Sequence, residues 1–109
     1  MGFVKVAKTS EIPVGNLKVV KVEEKEILIT NVDGNYYAIG DRCTHAGVDL
    51  SKGPLAGNII TCPRHGAKFD VTTGKVVFQP KILFVRLKLN DEPSYEIKVD
   101  GNNILFKID

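Results

Sequence analysis

Apolar and polar residues alternate along short segments near both ends of the chain, which is the pattern of half-buried β-strands. Turn signals separate these segments, the strongest being Asp33-Gly34-Asn35 and Asp100-Gly101-Asn102-Asn103. Long helical periodicity is absent, and we expect short helices only near residues 9–12 or just after His45. The predicted strands span residues 17–22, 26–32, 36–39, 84–89, 95–99 and 104–108. This pattern predicts an all-β fold, an antiparallel sandwich or small barrel.

The middle of the chain, residues 41–78, has a different character. It is rich in Gly, Pro and Thr, and its strand candidates are short, at residues 58–62, 68–71 and 75–78. A loop-rich insert between two regular β segments suggests a small ligand-binding lobe on a rigid base, and such loops commonly carry function. The 109 residues are therefore expected to form one domain, with a base of residues 1–40 and 79–109 and a lobe of residues 41–78.

Charge and composition exclude several classes of function. The formal net charge is +2 and no basic run is present, which argues against nucleic-acid binding. No segment approaches the ~18 apolar residues of a membrane span, and the start of the chain lacks the apolar run of a secretory signal. We therefore expect a cytoplasmic protein. The whole excess of positive charge lies within residues 41–78. It is either a chance distribution of charged residues or a weakly basic rim that attracts an acidic partner.

The candidate chemistry is concentrated in two pairs, Cys43-x-His45 and Cys62-x-x-His65, which contain every cysteine and histidine of the chain. Two thiolates and two imidazoles can bind either tetrahedral zinc or a [2Fe–2S] cluster. Zinc knuckles commonly supply like ligands, whereas one Cys and one His from each loop suit a two-iron site that both loops reach. A disulfide between Cys43 and Cys62 would leave both histidines unexplained.

This paired motif resembles the signature of Rieske-type [2Fe–2S] proteins, in which C-x-H is followed about 15–17 residues later by C-x-x-H. The segments Leu50–Gly53 and Gly66–Asp70 agree with that signature. The resemblance implies one [2Fe–2S] cluster and a Rieske-like fold with a small cluster-binding subdomain. It places Cys43 and Cys62 on the inner iron, with His45 and His65 on the outer iron.

The chain departs from the high-potential members of that family. Those members form a disulfide from two further cysteines, where this chain has Val48 (or Gly47) and Arg64. They also place Ser and Tyr hydroxyls beside the cluster, where this chain has Ala67 and Phe69. Hydrogen bonds to the cluster sulfurs raise the reduction potential, so their absence predicts a potential near the bottom of the family range, roughly −150 mV.

The resemblance implies a soluble one-electron carrier rather than an enzyme. Once both histidines are ligands, no Ser–His or paired-carboxylate arrangement remains for catalysis. Such a carrier accepts an electron from a flavin-containing reductase and passes it to a terminal oxygenase or another acceptor, docking transiently as a monomer. Two alternatives stay open: a fixed electron-entry small subunit of an oxidoreductase complex, and a structural zinc module.

The remaining polar and aromatic residues have structural interpretations. Gly66 and Gly74 are expected to allow tight turns. Three acidic residues are expected to lie in turns or helix caps, and three tyrosines are expected to pack in the core or at sheet edges. The acids are Asp41, Asp49 and Asp70, and the aromatic residues are Tyr36, Tyr37 and Tyr95.

Overall fold

The structure is a computed structural model that describes residues 2–42, 49–63, 66–78, 81–82, 85–86 and 91–108. In these residues every paired strand is antiparallel, and the helical segments are short 3₁₀ turns. No helix in the described ranges is long and apolar enough to cross a membrane. The predicted all-β fold is confirmed.

The elements follow one another along the chain in short steps. The two 3₁₀ helices are Thr9–Glu11 and Leu50–Lys52. The strands are β1 Gly2–Lys8, β2 Leu17–Val22, β3 Lys25–Val32, β4 Asn35–Gly40, β5 Leu55–Ala56, β6 Ile59–Thr61, β7 Lys68–Asp70, β8 Val76–Phe78, β9 Lys81–Ile82, β10 Val85–Arg86, β11 Ser94–Tyr95, β12 Ile97–Asp100 and β13 Asn103–Ile108.

Two sheets consist of strands from the residues predicted to form the base, one in the order β1-β13-β12 and the other in the order β11-β4-β3-β2. Their inward side chains share one apolar cluster, which places the first core between the sheets. Its buried members are Ala7, Ile12, Val22, Ile27, Ile29, Ala38, Ile104 and Phe106.

A third sheet, in the order β5-β6-β7-β8, lies within residues 41–78 and has its own apolar cluster. This cluster includes Leu28 of β3 and Ile39 of β4, so the third sheet packs directly against the base. Strand β3 is consequently buried on both faces, since Ile27 and Ile29 belong to the first core and Leu28 to the second. The buried members of the second cluster are Leu28, Ile39, Leu50, Ile60, Cys62, Ala67, Phe69 and Val71.

The predicted hairpin between β3 and β4 is confirmed. Val32 pairs with Asn35, which leaves Asp33 and Gly34 as a two-residue turn. Both turn residues have positive φ, 54° and 91°, as the tight hairpin turns that match strand twist require. The side chain of Asn31 supports the turn by accepting a hydrogen bond from the Gly34 N–H at 2.9 Å.

Other sequence predictions are corrected by the structure. The single strand predicted over residues 95–99 is wrong, because the chain changes sheets at Glu96. Tyr95 pairs with Ala38 in one sheet, and Ile97 pairs with Phe106 in the other. Tyr95 and Ile97 both pack against the first core. The alternation of apolar and polar residues therefore continues across Glu96, and the sequence pattern does not reveal the change of sheet. Strands β1, β5 and β9 were not predicted.

Several predictions are confirmed in whole or in part. The short helix expected near residues 9–12 is the 3₁₀ turn Thr9–Glu11. Of the strand predicted over residues 84–89, residues 85–86 form β10, and the rest lies outside the described residues. Residues 46–48, directly after His45, also lie outside them. The division into base and lobe remains a prediction.

Candidate metal centre

One of the four predicted ligands, Cys62, lies in the described part of the chain, whereas Cys43, His45 and His65 lie outside it. Cys62 follows the last residue of β6 and is 1% exposed within the second apolar cluster. Its thiol forms no disulfide among the described residues. The described residues therefore include one predicted ligand, Cys62, and the residues that flank both predicted ligand segments.

The second ligand segment, residues 62–67, connects β6 to β7 and is closed by two backbone hydrogen bonds. The Cys62 N–H donates to the Ala67 carbonyl at 2.7 Å, and the Gly66 N–H donates to the Cys62 carbonyl at 3.1 Å. Gly66 has φ +80°, so the expected tight turn at this residue is confirmed. Ala67 and Phe69 are fully buried beside Cys62 in the same cluster. Their apolar side chains provide no hydroxyl donor there.

The first ligand segment, residues 42–49, is held closed at its ends by Asp41. The Leu50 N–H donates to the Asp41 carbonyl at 2.6 Å. The Asp41 carboxylate accepts hydrogen bonds from the Ser51 N–H at 2.9 Å and from the Ser51 hydroxyl at 3.4 Å. Asp41 is 1% exposed, and this burial raises its pKa although both Ser51 hydrogen bonds act to lower it. This role was not predicted, since the separation of Asp41 and Ser51 carries no recognisable motif.

Gly53 brings the two ligand segments together. A Cβ atom at this position would overlap the backbone carbonyl oxygen of Thr61 and lie 3.2 Å from Cδ of Pro63. The Thr61 N–H donates to the Pro54 carbonyl at 3.1 Å, which holds the same two stretches of backbone together. The distance between the end of the first segment and the start of the second is therefore fixed by backbone packing. Gly53 belongs to the motif that the sequence singled out, but its role was not predicted.

Residues 91–93 connect the third sheet to the base. The Glu92 N–H donates to the Gly74 carbonyl at 2.7 Å, while the Pro93 carbonyl accepts from the Gly40 N–H at 3.0 Å. The Asp91 carboxylate accepts from the backbone of β8 at 2.8 Å. The turn before β8 is therefore attached to the end of β4, close to the Asp41 support.

Asp70 confirms the turn role expected from the sequence. Its carboxylate accepts hydrogen bonds from the Thr72 N–H at 2.9 Å and the Thr72 hydroxyl at 2.6 Å. Burial acts to raise the pKa of Asp70, but the hydrogen bonds from Thr72 and the Asn58 side chain outweigh it and lower the pKa. Gly74 has φ +82° and ends this turn. The packing roles of Tyr36 and Tyr95 are confirmed too, since both lie against the first core.

The donor set fits a [2Fe–2S] cluster. Cys62 is buried among apolar side chains, and a bound cationic metal would stabilise the charge of a thiolate there. Two thiolates and two imidazoles match a cluster in which two histidines replace two cysteines on one iron. The described residues, which include only Cys62 of the predicted ligands, contain no group of three or more His, Cys, Asp or Glu side chains that could hold a metal ion.

Comparisons with known proteins extend over nearly the whole chain. A family model described as Rieske [2Fe-2S] domain matches residues 2–86. The chain is 34% identical over 107 residues to the ferredoxin component of the naphthalene 1,2-dioxygenase/salicylate 5-hydroxylase systems of Ralstonia sp, covering 98% of this chain and 96% of that protein. It is also 34% identical over 106 residues to the biphenyl dioxygenase ferredoxin subunit of Pseudomonas sp. (strain KKS102), covering 96% and 91%.

A solved structure is similar in fold and in sequence. It is the complex of reduced oxygenase and oxidized ferredoxin in carbazole 1,9a-dioxygenase, and the matched chain gives a TM-score of 0.82 at 28% identity. The match covers 95% of this chain and 91% of that chain. The similarity therefore includes the first two sheets and the third sheet, whose strand β6 directly precedes Cys62.

Proposed function

Because the chain belongs to the Rieske [2Fe–2S] domain family, we propose that it is a one-electron carrier with one [2Fe–2S] cluster between its two ligand segments. The proposed ligands are Cys43 and Cys62 for one iron and His45 and His65 for the other. The electron comes from a flavin-containing reductase and goes to a terminal oxygenase. When bound, the cluster supplies a reversible one-electron step at a potential that its ligands and surroundings determine.

The observation that carries this proposal is the near full-length similarity to proteins that are themselves named ferredoxin components or subunits of dioxygenase systems. The structural zinc module considered from the sequence gains no support from these relatives. The base–lobe division, the monomeric state and the cytoplasmic location remain predictions. The third sheet lies within residues 41–78, and this supports the proposed division.

The chain's own residues supply position and surroundings. Asp41 holds the ends of the first ligand segment, and Gly53 fixes its distance from the second. Supports of this kind keep the ligand side chains in one geometry. The ligand segments then need to move little when the site gains or loses an electron. Ala67 and Phe69 exclude water beside Cys62 without donating a hydrogen bond from their side chains. This arrangement favours a low reduction potential within the family.

An anaerobic mixing experiment tests the proposed function. The purified protein is reduced with a limiting amount of reduced nicotinamide cofactor and a catalytic amount of a flavin-containing reductase, and it is then mixed with the oxidised oxygenase component of the Ralstonia system. Visible absorption should first bleach and then recover as the electron leaves. The Cys62→Ser variant is the control and should show neither change. A protein that the reductase cannot reduce, or that stays reduced beside the oxygenase, would contradict the proposal.

A further inference from the structure

One face of the third sheet carries a row of side chains that leads away from the second ligand segment. Thr61 of β6 pairs with Lys68 of β7, and Lys68 pairs with Phe78 of β8. Directly paired residues project from the same face of a sheet, so these three side chains are neighbours. The next rung, with Phe69 of β7, faces the buried cluster instead. The outer row thus begins at the residue before Cys62.

Two consecutive apolar residues at the end of this row are exposed. Val77 is 51% exposed and Phe78 is 46% exposed, and they are the only adjacent pair of exposed large apolar residues in the described ranges. Val77 is the extra residue of a β-bulge, because Phe69 pairs with Val76 while Lys68 pairs with Phe78. Within the described residues β8 is an edge strand. Exposed apolar residues on a sheet edge are typical of an interaction surface.

Two lysines and one carboxylate lie around this pair: Lys68, Lys75, and Asp91, which accepts a hydrogen bond from the Val76 N–H at 2.8 Å, so positive charge is in excess there. The Lys68 ammonium donates to the Thr61 hydroxyl at 3.0 Å, and no carboxylate of the described residues forms an ion pair with Lys68 or Lys75. Residues 41–78 carry the whole formal excess of +2. Two of the three acids in that segment, Asp41 and Asp70, already accept hydrogen bonds from the chain. A complementary partner surface would be apolar at its centre and acidic at its edge.

We propose that Val77 and Phe78, bordered by Lys68 and Lys75, are the apolar anchor with which the protein docks on the oxygenase component that accepts its electron. The inference rests on the proposed function and adds the surface and the chemistry of the partner site. Transient redox complexes bury little area, so a few aromatic or apolar residues carry much of the binding. The anchor lies two strands from Thr61, about 10 Å across the sheet, so a partner bound there would also lie close to Cys62.

Paired variants and two oxidants test the docking surface. The variants Val77→Thr and Phe78→Ser remove apolar character from the anchor, while Val14→Thr makes the same change at a residue of the base that is 64% exposed. Each protein is reduced, and its reoxidation is followed with ferricyanide and with the oxygenase component of the Ralstonia system. The second-order rate constant with the oxygenase should fall about five- to tenfold in Phe78→Ser and less in Val77→Thr. Val14→Thr should match the wild type, and ferricyanide rates should be unchanged throughout.

The possible outcomes distinguish failure of the proposed docking surface from failure of the proposed electron-carrier function. A wild-type protein that ferricyanide cannot reoxidise after reduction would overturn the carrier function itself. Normal ferricyanide rates combined with unchanged oxygenase rates in both anchor variants would overturn the docking surface and leave the carrier function intact. A slow oxygenase reaction in Val14→Thr as well would show a general effect of lost apolar surface and would also overturn the proposed location. A wild-type protein that ferricyanide reoxidises but the oxygenase does not would overturn the choice of partner.

Discussion

The substitution Gly53→Ala tests whether backbone packing sets the distance between the two ligand segments. The backbone angles at Gly53, φ −94° and ψ 168°, suit any residue, so the added methyl group introduces no torsional strain. Its Cβ would lie 3.0 Å from the Thr61 carbonyl carbon, closer still to the carbonyl oxygen, and 3.2 Å from Cδ of Pro63. The Thr61 carbonyl is backbone and cannot rotate away as a side chain would. One ligand segment must therefore move relative to the other.

The expected magnitude follows from the nature of the obstacle. Overpacking a well-packed site costs about 1–3 kcal/mol, and a fixed backbone atom places Gly53→Ala near the upper end of that range. For a domain of this size, the apparent Tm should fall by roughly 10–20 °C. Because the ligand segments are displaced, iron content per chain should fall as well. Thermal unfolding followed by circular dichroism, together with iron and sulfide analysis, measures both effects.

Two other glycines provide controls for this prediction. Gly57 has φ +61°, and a Cβ atom added there would have nothing within 4 Å, so Gly57→Ala measures the cost of positive φ without a clash. Gly2 has open space and an ordinary backbone, so Gly2→Ala should match the wild type. Gly53→Ala with wild-type Tm and iron content would refute the packing argument. A loss no larger than that of Gly2→Ala would show that the Thr61 contact has no effect.

Two further perturbations address the surroundings of the site. Ala67→Ser and Phe69→Tyr should each raise the reduction potential measured by voltammetry, because each adds a hydroxyl donor beside Cys62. The control variant Ala7→Ser, in the first core, should leave the potential unchanged. An unaltered potential in the variant that carries both Ala67→Ser and Phe69→Tyr would refute this explanation. The lowered pKa of Asp70 means that its contribution to stability is present above the ordinary value of 3.8 and is lost as the pH falls through the lower folded-state pKa. Asp70→Asn should therefore lose less stability than the wild type during acid titration followed by circular dichroism, and equal losses would contradict the assigned hydrogen bonds.

The sequence predicted those parts of the fold that depend on local pattern. The turn at Asp33 and Gly34 was recognisable because few residues adopt positive φ, and the flanking strands had clear apolar patterns. The change of sheet at Glu96 was not recognisable, because residues on both sides of it face the same core. Strand β1 was missed because most of its residues are exposed and a register shift after Lys5 interrupts its pairing.

The candidate ligands could be identified from sequence because Cys and His are rare and their spacing is specific. The supports around them could not, because they depend on contacts between distant backbone atoms. Asp41 and Ser51 meet only when the ends of the first ligand segment come together. Gly53 is required because the backbone carbonyl of Thr61, at the end of β6, packs where a Cβ atom would lie. Residues of such ordinary type carry no signal of their role until the tertiary contacts are known.

The most direct test of the central claim is the spectrum and composition of the purified protein before and after reduction. We predict about two iron atoms and two sulfide ions per chain. We also predict visible absorption that dithionite bleaches, and a reduced-state EPR signal of a histidine-ligated [2Fe–2S] cluster. His65→Cys and Cys62→Ser should alter or abolish that signal. A colourless protein containing one zinc ion per chain and showing no EPR signal after reduction would contradict the account.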